Sequence, residues 1–397
     1  MMKVLSLFQW KWMVGLFMGL LSVGVGISTV HAKPNSEPPI PLPGLTEGQL
    51  VLFQEGQELF EHPFRPREGL GPIFNARACV ACHKRPTVGG HGPGYRSNLR
   101  FTEGPHDTTG TLFHSRAILG MSVAPLPDAS PLSKRRPTTL LGLGLIEAIP
   151  KEAILAHADP DDTNGDGIRG RAAIQNGKVL RFGSQAHVGG LFDFVVEALR
   201  EELGLTSPLP GFESEPENPA LPKRVQIPQP NVSMVTVQKI VDFVALLAPP
   251  PRGEVLMDQG GVTYGEHLFR EAGCAQCHVP SYRTLEEPIA GTSGPSPEVW
   301  AALVNQEVHP YSDFLLHDLG PALDDGVALG ASKTSEFKTP ALWGLRFRQH
   351  LLMHDGRANN IEQAILYHGG EAASSRTYVL GLSRRDRLAL LAFLKSL

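Results

Sequence analysis

The sequence predicts a mainly α chain built from two copies of one helical module, with long loop insertions. Three observations carry this. The run C-x-x-C-H occurs twice, at Cys79-Val80-Ala81-Cys82-His83 and at Cys274-Ala275-Gln276-Cys277-His278. Each run follows a segment of the form G-x-x-L-F, Gly56–Phe60 in the first copy and Gly265–Phe269 in the second. Each copy also closes on an apolar helix. The first spans Val237–Ala248, with Ile240, Val241, Val244 and Leu247 at helical spacing, and Pro249-Pro250-Pro251 stops it. The second spans Asp386–Leu397, with Leu390, Leu391 and Leu394 on one face and Ser383 with Asp386 as its capping box.

A C-x-x-C-H run is a covalent haem c attachment site. The two thiols form thioethers to the porphyrin vinyls, and the next residue reaches the iron from the proximal side. The competing readings are weaker. A zinc site takes four ligands, usually from paired cysteine motifs, and a thiol redox pair would not be followed by His twice. All four cysteines of the chain lie in the two runs. Cys79, Cys82, Cys274 and Cys277 are therefore expected to attach two covalently bound haem c groups, with His83 and His278 as proximal iron ligands. Helix, haem motif, helix is the outline of a cytochrome c module. The expected fold is thus two cytochrome c-like domains, 33–248 and 249–397, meeting near residues 249–256. The first is much larger and carries insertions, among them the proline-rich stretch Ser207–Pro230, read as a surface loop. In its leading helix, Leu50, Leu52, Phe53, Leu59 and Phe60 can share a face.

Composition bounds the function. A net charge of -4 over 397 residues offers no basic surface for nucleic acid. Lys3 and Lys11 flank an apolar run from Trp12 to Val30, and Val30-His31-Ala32 is a small-residue cleavage pattern. Residues 1–32 read as a secretory signal cut after Ala32, which places the mature chain in the periplasm. The run is long enough for an uncleaved anchor, but its glycines and the cleavage pattern favour cutting. No later stretch is long and apolar enough to span a bilayer. Haem c is attached outside the cytoplasm, so the signal and the motifs agree.

Asp162-Thr163-Asn164-Gly165-Asp166-Gly167 follows the D-x-N-x-D-G opening of a calcium loop, with Asp162, Asn164 and Asp166 as oxygen ligands. The Glu expected at position twelve is replaced by Ala173. A calcium site completed by other ligands and an ion-free Asx turn are both compatible with this run.

Beyond the haem motifs, several stretches occur in a characteristic order. They are Phe74–Cys79, Gly142–Pro150, Asp159–Gly167, Arg181-Phe182-Gly183, Tyr311–Gly320, Thr339–Gly344, His354-Asp355-Gly356-Arg357 and Tyr367–Ala372. In this order the chain resembles the di-haem oxidoreductase family, whose members are labelled di-haem peroxidases or thiol oxidoreductases. It is more distantly similar to bacterial di-haem cytochrome c peroxidases and the MauG group. The resemblance implies one open haem that reacts with hydrogen peroxide and one six-coordinate haem that relays electrons. It also implies a ligand to the second haem after the His-Asp-Gly turn. That makes His368, at the end of a helix starting near Ile361, the leading sixth ligand, with Tyr367 and Met353 as alternatives and a helix-terminal role as the bland reading. Where relatives carry Trp after Arg-Phe-Gly, this chain has Ser184. A haem-coupling role then falls to Trp343, unless Trp343 is simply core.

A peroxide site needs an acid/base to move a proton between the two oxygens. Glu147, in the apolar run Leu140–Ile149, is the catalytic candidate, since burial raises a carboxyl pKa; pairing with Arg135 or Arg136 is the alternative. His91 and His114 are further candidates for the first iron. Arg357 suits a haem propionate or a plain turn, and Lys134-Arg135-Arg136 suits an acidic donor protein or a solvated face. The expected activity is peroxidase-like, with a small redox protein as electron donor. The other two readings are a non-enzymatic electron carrier and a MauG-like oxidase of a protein side chain.

Overall fold

Gly56 and Gly265 decide how the helices meet. The first lies in α1 (Glu47–Glu61), which packs on α5 (Met234–Ala245); the second lies in α6 (Gln259–Glu271), which packs on α10 (Arg384–Ser396). A Cβ on Gly56 would stand 2.2 Å from the Lys239 carbonyl oxygen and 2.5 Å from Phe243 Cβ. A Cβ on Gly265 would stand 2.1 Å from the Ala389 carbonyl oxygen and 2.9 Å from Phe393 Cβ. Only glycine permits backbones this close. One turn further on, Phe60 meets Phe243 with ring centroids 5.0 Å apart, and Phe269 meets Phe393 at 5.3 Å. The weak sequence repeat is therefore one packing arrangement used twice.

The computed structural model describes residues 39–92, 98–104, 109–128, 131–212, 229–255, 257–289 and 294–397. Residues 1–32, expected to be a secretory signal, and residues 213–228 of the proline-rich insertion lie outside the described residues. At the base of that insertion the chain is pinched, since Asn231 N donates to Thr206 O at 3.2 Å and Thr206 N to Asn231 Oδ1 at 2.9 Å.

Among the described residues helix makes up 35% and strand 12%, so helix predominates over strand as expected. Between the crossing pairs lie α2 (Leu143–Glu147), α3 (Lys151–Leu155) and α4 (Leu191–Leu203) in the first half, and α7 (Pro297–Leu303), α8 (Ile361–Leu366) and α9 (Ala373–Gly381) in the second. Local signals start them as the sequence suggests. Asn360 Oδ1 accepts from Gln363 N at 2.8 Å to cap α8, and Ser383 Oγ accepts from Asp386 N at 3.2 Å to cap α10. The closing helix of the first copy runs three residues earlier than its apolar pattern predicts, ending at Ala245, while Leu246 and Leu247 remain fully buried beyond it.

The strands are short. Leu316–Asp318 pairs antiparallel with Glu336–Lys338, Leu316 opposite Lys338. A three-stranded sheet orders Thr111–Leu112, Asn98–Phe101 and Leu132–Arg135. One large core gathers α1, α4 and α5 and takes in Val299, Trp300 and Leu303 of α7; a second gathers α6, α8 and α10. In α1 the inner face is Gln49, Phe53, Gly56 and Phe60, while Leu50 is 37% exposed. The apolar count alone misplaced that face. Gly56 must point inward for the crossing, and Gln49 joins it because its side chain amide donates to Glu298 O at 2.8 Å. Among the described residues no helix is long and apolar enough to cross a membrane.

Replacing Gly265 by Val should destabilise the fold by about 1–3 kcal/mol through overpacking, with a matching loss for Gly56→Val. Denaturant unfolding of each variant checks this, and midpoints equal to wild type would show that the crossing is not tight.

Candidate haem sites

Both C-x-x-C-H runs fold the same way. Cys274–Gln276 and Cys79–Ala81 each form one tight helical turn, and His278 N and His83 N donate to Cys274 O (2.9 Å) and Cys79 O (3.0 Å). His278 Nδ1 lies 3.0 Å from Tyr311 O; His83 Nδ1 lies 3.0 Å from Thr138 O and 3.2 Å from Gly90 O. A carbonyl only accepts, so Nδ1 carries the proton in both rings. Burial pushes both imidazoles down to about 4, which keeps them neutral. A neutral ring with Nδ1–H committed presents the Nε2 lone pair, the arrangement of a metal-bound histidine. The four thiols form no disulfide. Burial pushes Cys79 and Cys274 up to about 12 and raises Cys277. A thiolate is costly here and an uncharged thioether is not, so the residues present fit attached haem.

A cavity of about 290 Å³ opens beside the second run. Cys274, Cys277 and His278 line it, and so do Met353, Ile361 and His368. His368 stands just past the end of α8, with Nδ1 2.7 Å from Ala364 O, so its Nε2 is likewise left over. It is close enough to His278 for a charge on one ring to disfavour a charge on the other. Tyr367 points elsewhere, its ring beneath the Arg357 guanidinium at 5.6 Å. Arg357 itself is held by Asp355 Oδ2 at 2.7 Å and by Ala322 O. Trp343 is buried, packs over Gly142 and lines the cavity; Ser184 lines it too and accepts from Arg135 Nη1 at 3.3 Å.

The structure buries His317 between two carboxylates, Nε2 2.8 Å from Asp313 Oδ2 and Nδ1 2.6 Å from Glu371 Oε2, with Cys277 Sγ 3.8 Å from the ring. Burial by itself would lower its pKa, but the hydrogen bonds to Asp313, Cys277 and Glu371 hold it well above the ordinary value. A positive imidazolium thus sits against the second attachment site. Glu371 also accepts from Arg169 N at 2.9 Å, and Gln276 Nε2 donates to Asp166 Oδ2 at 3.0 Å. The calcium-like loop is therefore moored to the second run. Within it, Asp162 Oδ1 accepts from Gly167 N at 3.0 Å, Asn164 Oδ1 from Asp166 N at 3.0 Å and Asp166 Oδ1 from Ile168 N at 2.8 Å. Gly167 sits at φ +83°, the left-handed turn that its position requires.

Around the first run, His91 is buried with both ring nitrogens on carbonyls, 2.9 Å from Gly92 O and 2.9 Å from Phe347 O. His114 Nε2 is 2.8 Å from Glu201 O. Glu147 ends α2, and its Oε2 accepts from Leu191 N at 3.0 Å, the first turn of α4. Its partner is not Arg135 or Arg136 but the neighbouring Arg181, whose Nη1 donates to Ile146 O and Ile149 O. Burial pushes Glu147 up to about 7 against the pull of Arg181. A second carboxyl that the sequence did not single out, Glu202, is pushed up to about 6 by burial and accepts from Asn75 Nδ2 at 3.0 Å, just ahead of the first run. Arg135 corrects another expectation. It is 6% exposed and paired with Asp325 at 3.0 Å, so Lys134-Arg135-Arg136 is not a solvated basic face.

Residues 223–397 match the family model described as "Di-haem oxidoreductase, putative peroxidase". This segment is similar to that family, and it contains the second run and His368, whereas the cavity beside them is also lined by Thr138, Ile146, Arg181 and Phe194 from outside it. No curated protein matches the chain. Among solved structures it is similar to Kuenenia stuttgartiensis hydrazine synthase pressurised with xenon, at 14% identity and a TM-score of 0.39, covering 94% of this chain and 98% of that one.

The raised Glu147 pKa has a stability consequence. The folded state holds the proton from the ordinary value of 4.5 up to about 7, so the stabilisation is complete below 4.5 and is lost as pH rises through 7. Glu147→Gln should remove this loss and gain on wild type above pH 7. Unfolding curves at acid and alkaline pH check it; parallel pH profiles for the two proteins would show that Glu147 titrates normally.

Proposed function

We propose that this chain is an exported, periplasmic di-haem c-type oxidoreductase that reduces hydrogen peroxide with electrons from a small redox protein. Cys79, Cys82, Cys274 and Cys277 attach the two haems, in two cytochrome c-like modules, and His83 and His278 are the proximal ligands. The observation that carries the reading is an asymmetry. His368 shares a cavity with His278 and keeps Nε2 for a metal, whereas His91, the histidine beside His83, has a carbonyl oxygen 2.9 Å from each ring nitrogen and so no nitrogen facing open space. A filled sixth position suits electron relay, and an open one suits oxygen chemistry.

Haem bound at these runs would supply the electrons that reduce peroxide. The chain supplies the rest. Glu147, pushed up to about 7 by burial, would hold a proton and pass it between the two oxygens of a peroxide bound within its reach. Its Oε2 is held by Leu191 N–H, which fixes the carboxyl while the other oxygen handles the proton. Thr138 O and Tyr311 O hold the two proximal rings in register. Asp162, Asn164 and Asp166 form the calcium site of this reading, and through Asp166 and Gln276 an ion there would brace the second attachment turn.

Absorption and EPR spectra of the oxidised and half-reduced protein decide between enzyme and carrier. The expected result is one high-spin and one low-spin haem, with a spectral change on adding peroxide; two low-spin haems indifferent to peroxide would leave an electron carrier. His368→Ala should turn the second haem high-spin, and an unaltered spectrum removes His368 as ligand. Glu147→Gln should slow peroxide turnover by about 10²–10⁴-fold, and full activity would take Glu147 out of the mechanism.

A further inference from the structure

The buried cations of this chain are nearly all compensated. Arg135 meets Asp325, Arg171 meets Glu336, and His317 lies between Asp313 and Glu371. Two cations on the wall of the cavity beside His278 are not. Lys338 ends the strand Glu336–Lys338, with Nζ 3.4 Å from Thr339 O and 5.7 Å from the Phe314 ring centre. Arg348 follows the turn Leu345–Phe347; it donates to Ala341 O, and its Nε is buried with no hydrogen-bond partner. Neither has a carboxylate within ion-pair distance among the described residues, and both line the cavity with His278 and His368. Burial pushes Lys338 down to about 8 against the more distant pull of Asp313, and the Arg348 charge adds a smaller push in the same direction as burial. Burial pushes Arg348 down to about 10.

Two like charges converging on one wall of an apolar cavity are unfavourable without an anion between them. The other basic groups there are already engaged. Arg181 Nη1 donates to carbonyls of the Ile146–Ile149 turn and its charge faces Glu147, although its Nε too is buried without a partner, and Arg376 donates to Leu366 O. Arg357, the sequence-based candidate for a propionate, is held by Asp355.

We infer that Lys338 and Arg348 clamp the propionate carboxylates of the haem attached at Cys274 and Cys277. This rests on the reading that a haem is held there. The guanidinium matches a carboxylate bidentately and supplies an Nε–H that the protein leaves unpaired. The ammonium adds a second charge beside it. The pair fixes the haem's orientation in its cavity, and by opposing positive charge on the iron it holds the reduction potential of the second haem up.

Full-length holoprotein carrying Arg348→Gln or Lys338→Gln tests this, with haem content measured by pyridine haemochrome and each midpoint potential by spectroelectrochemistry. Both variants should load two haems, lower the potential of the second haem and leave the first unmoved; Arg348→Lys should restore most of the shift. Two loaded haems with unchanged potentials overturn the clamp. Should a Gln variant fail to accumulate, Arg348→Lys carries the test through resonance Raman, because exchanging a fork for a single ammonium must move the propionate bending band of the second haem. An unmoved band overturns the clamp. Wild-type protein lacking haem at Cys274 and Cys277 overturns the haem reading itself, and the clamp with it, whereas loaded wild type with unmoved variants overturns the clamp alone.

Discussion

The close crossing of two helices at a glycine is the constraint on which the structure depends. α1 and α5 meet at Gly56, and α6 and α10 meet at Gly265, each at a distance that a single methyl group would close. The crossing fixes where the leading helix ends relative to the closing one, and so where the following C-x-x-C-H turn stands. Phe60 with Phe243, and Phe269 with Phe393, fill the angle between the helices. Aromatic pairs at such distances add to simple burial. Each C-x-x-C-H turn packs against the leading helix of its crossing.

Around these two turns the protein handles charge in contrasting ways. At the second, His317 is kept positive by two carboxylates while His278 is kept neutral by burial, against the pull of the Tyr311 carbonyl. Both are buried imidazoles, and only their partners separate them. The carboxylate clamp also ties distant segments together, since Glu371 holds Arg169 N and Asp318 N as well as His317. Against this background of paired charge, Lys338 and Arg348 stand out because, among the described residues, each has a carbonyl partner but no carboxylate at ion-pair distance.

Much of this was written locally. The attachment turns, the caps of α8 and α10, and the glycine of each repeat can be read from neighbouring residues, because short-range hydrogen bonding and helical periodicity need no knowledge of the rest of the fold. Other features misled a local reading. Lys134-Arg135-Arg136 has the look of a solvated basic run, yet Arg135 is buried by an aspartate far along the chain. Leu50 belongs to the apolar pattern of α1 and still faces outward, because Gly56 had to face inward.

The sequence by itself determined the helices that precede and close each copy of the repeat, and it pointed to Cys79–His83 and Cys274–His278, which fold as matching tight turns. Those conclusions follow from residue types at fixed short spacings. Only the tertiary structure decided which histidine shares a cavity with His278, which carbonyls flank the His91 ring, which carboxylates charge His317, and that Lys338 and Arg348 have, among the described residues, no carboxylate at ion-pair distance. Each of these depends on groups brought together from distant segments, and the free energy of a buried charge is set by whichever group lies within a few ångströms of it, wherever that group falls in the chain.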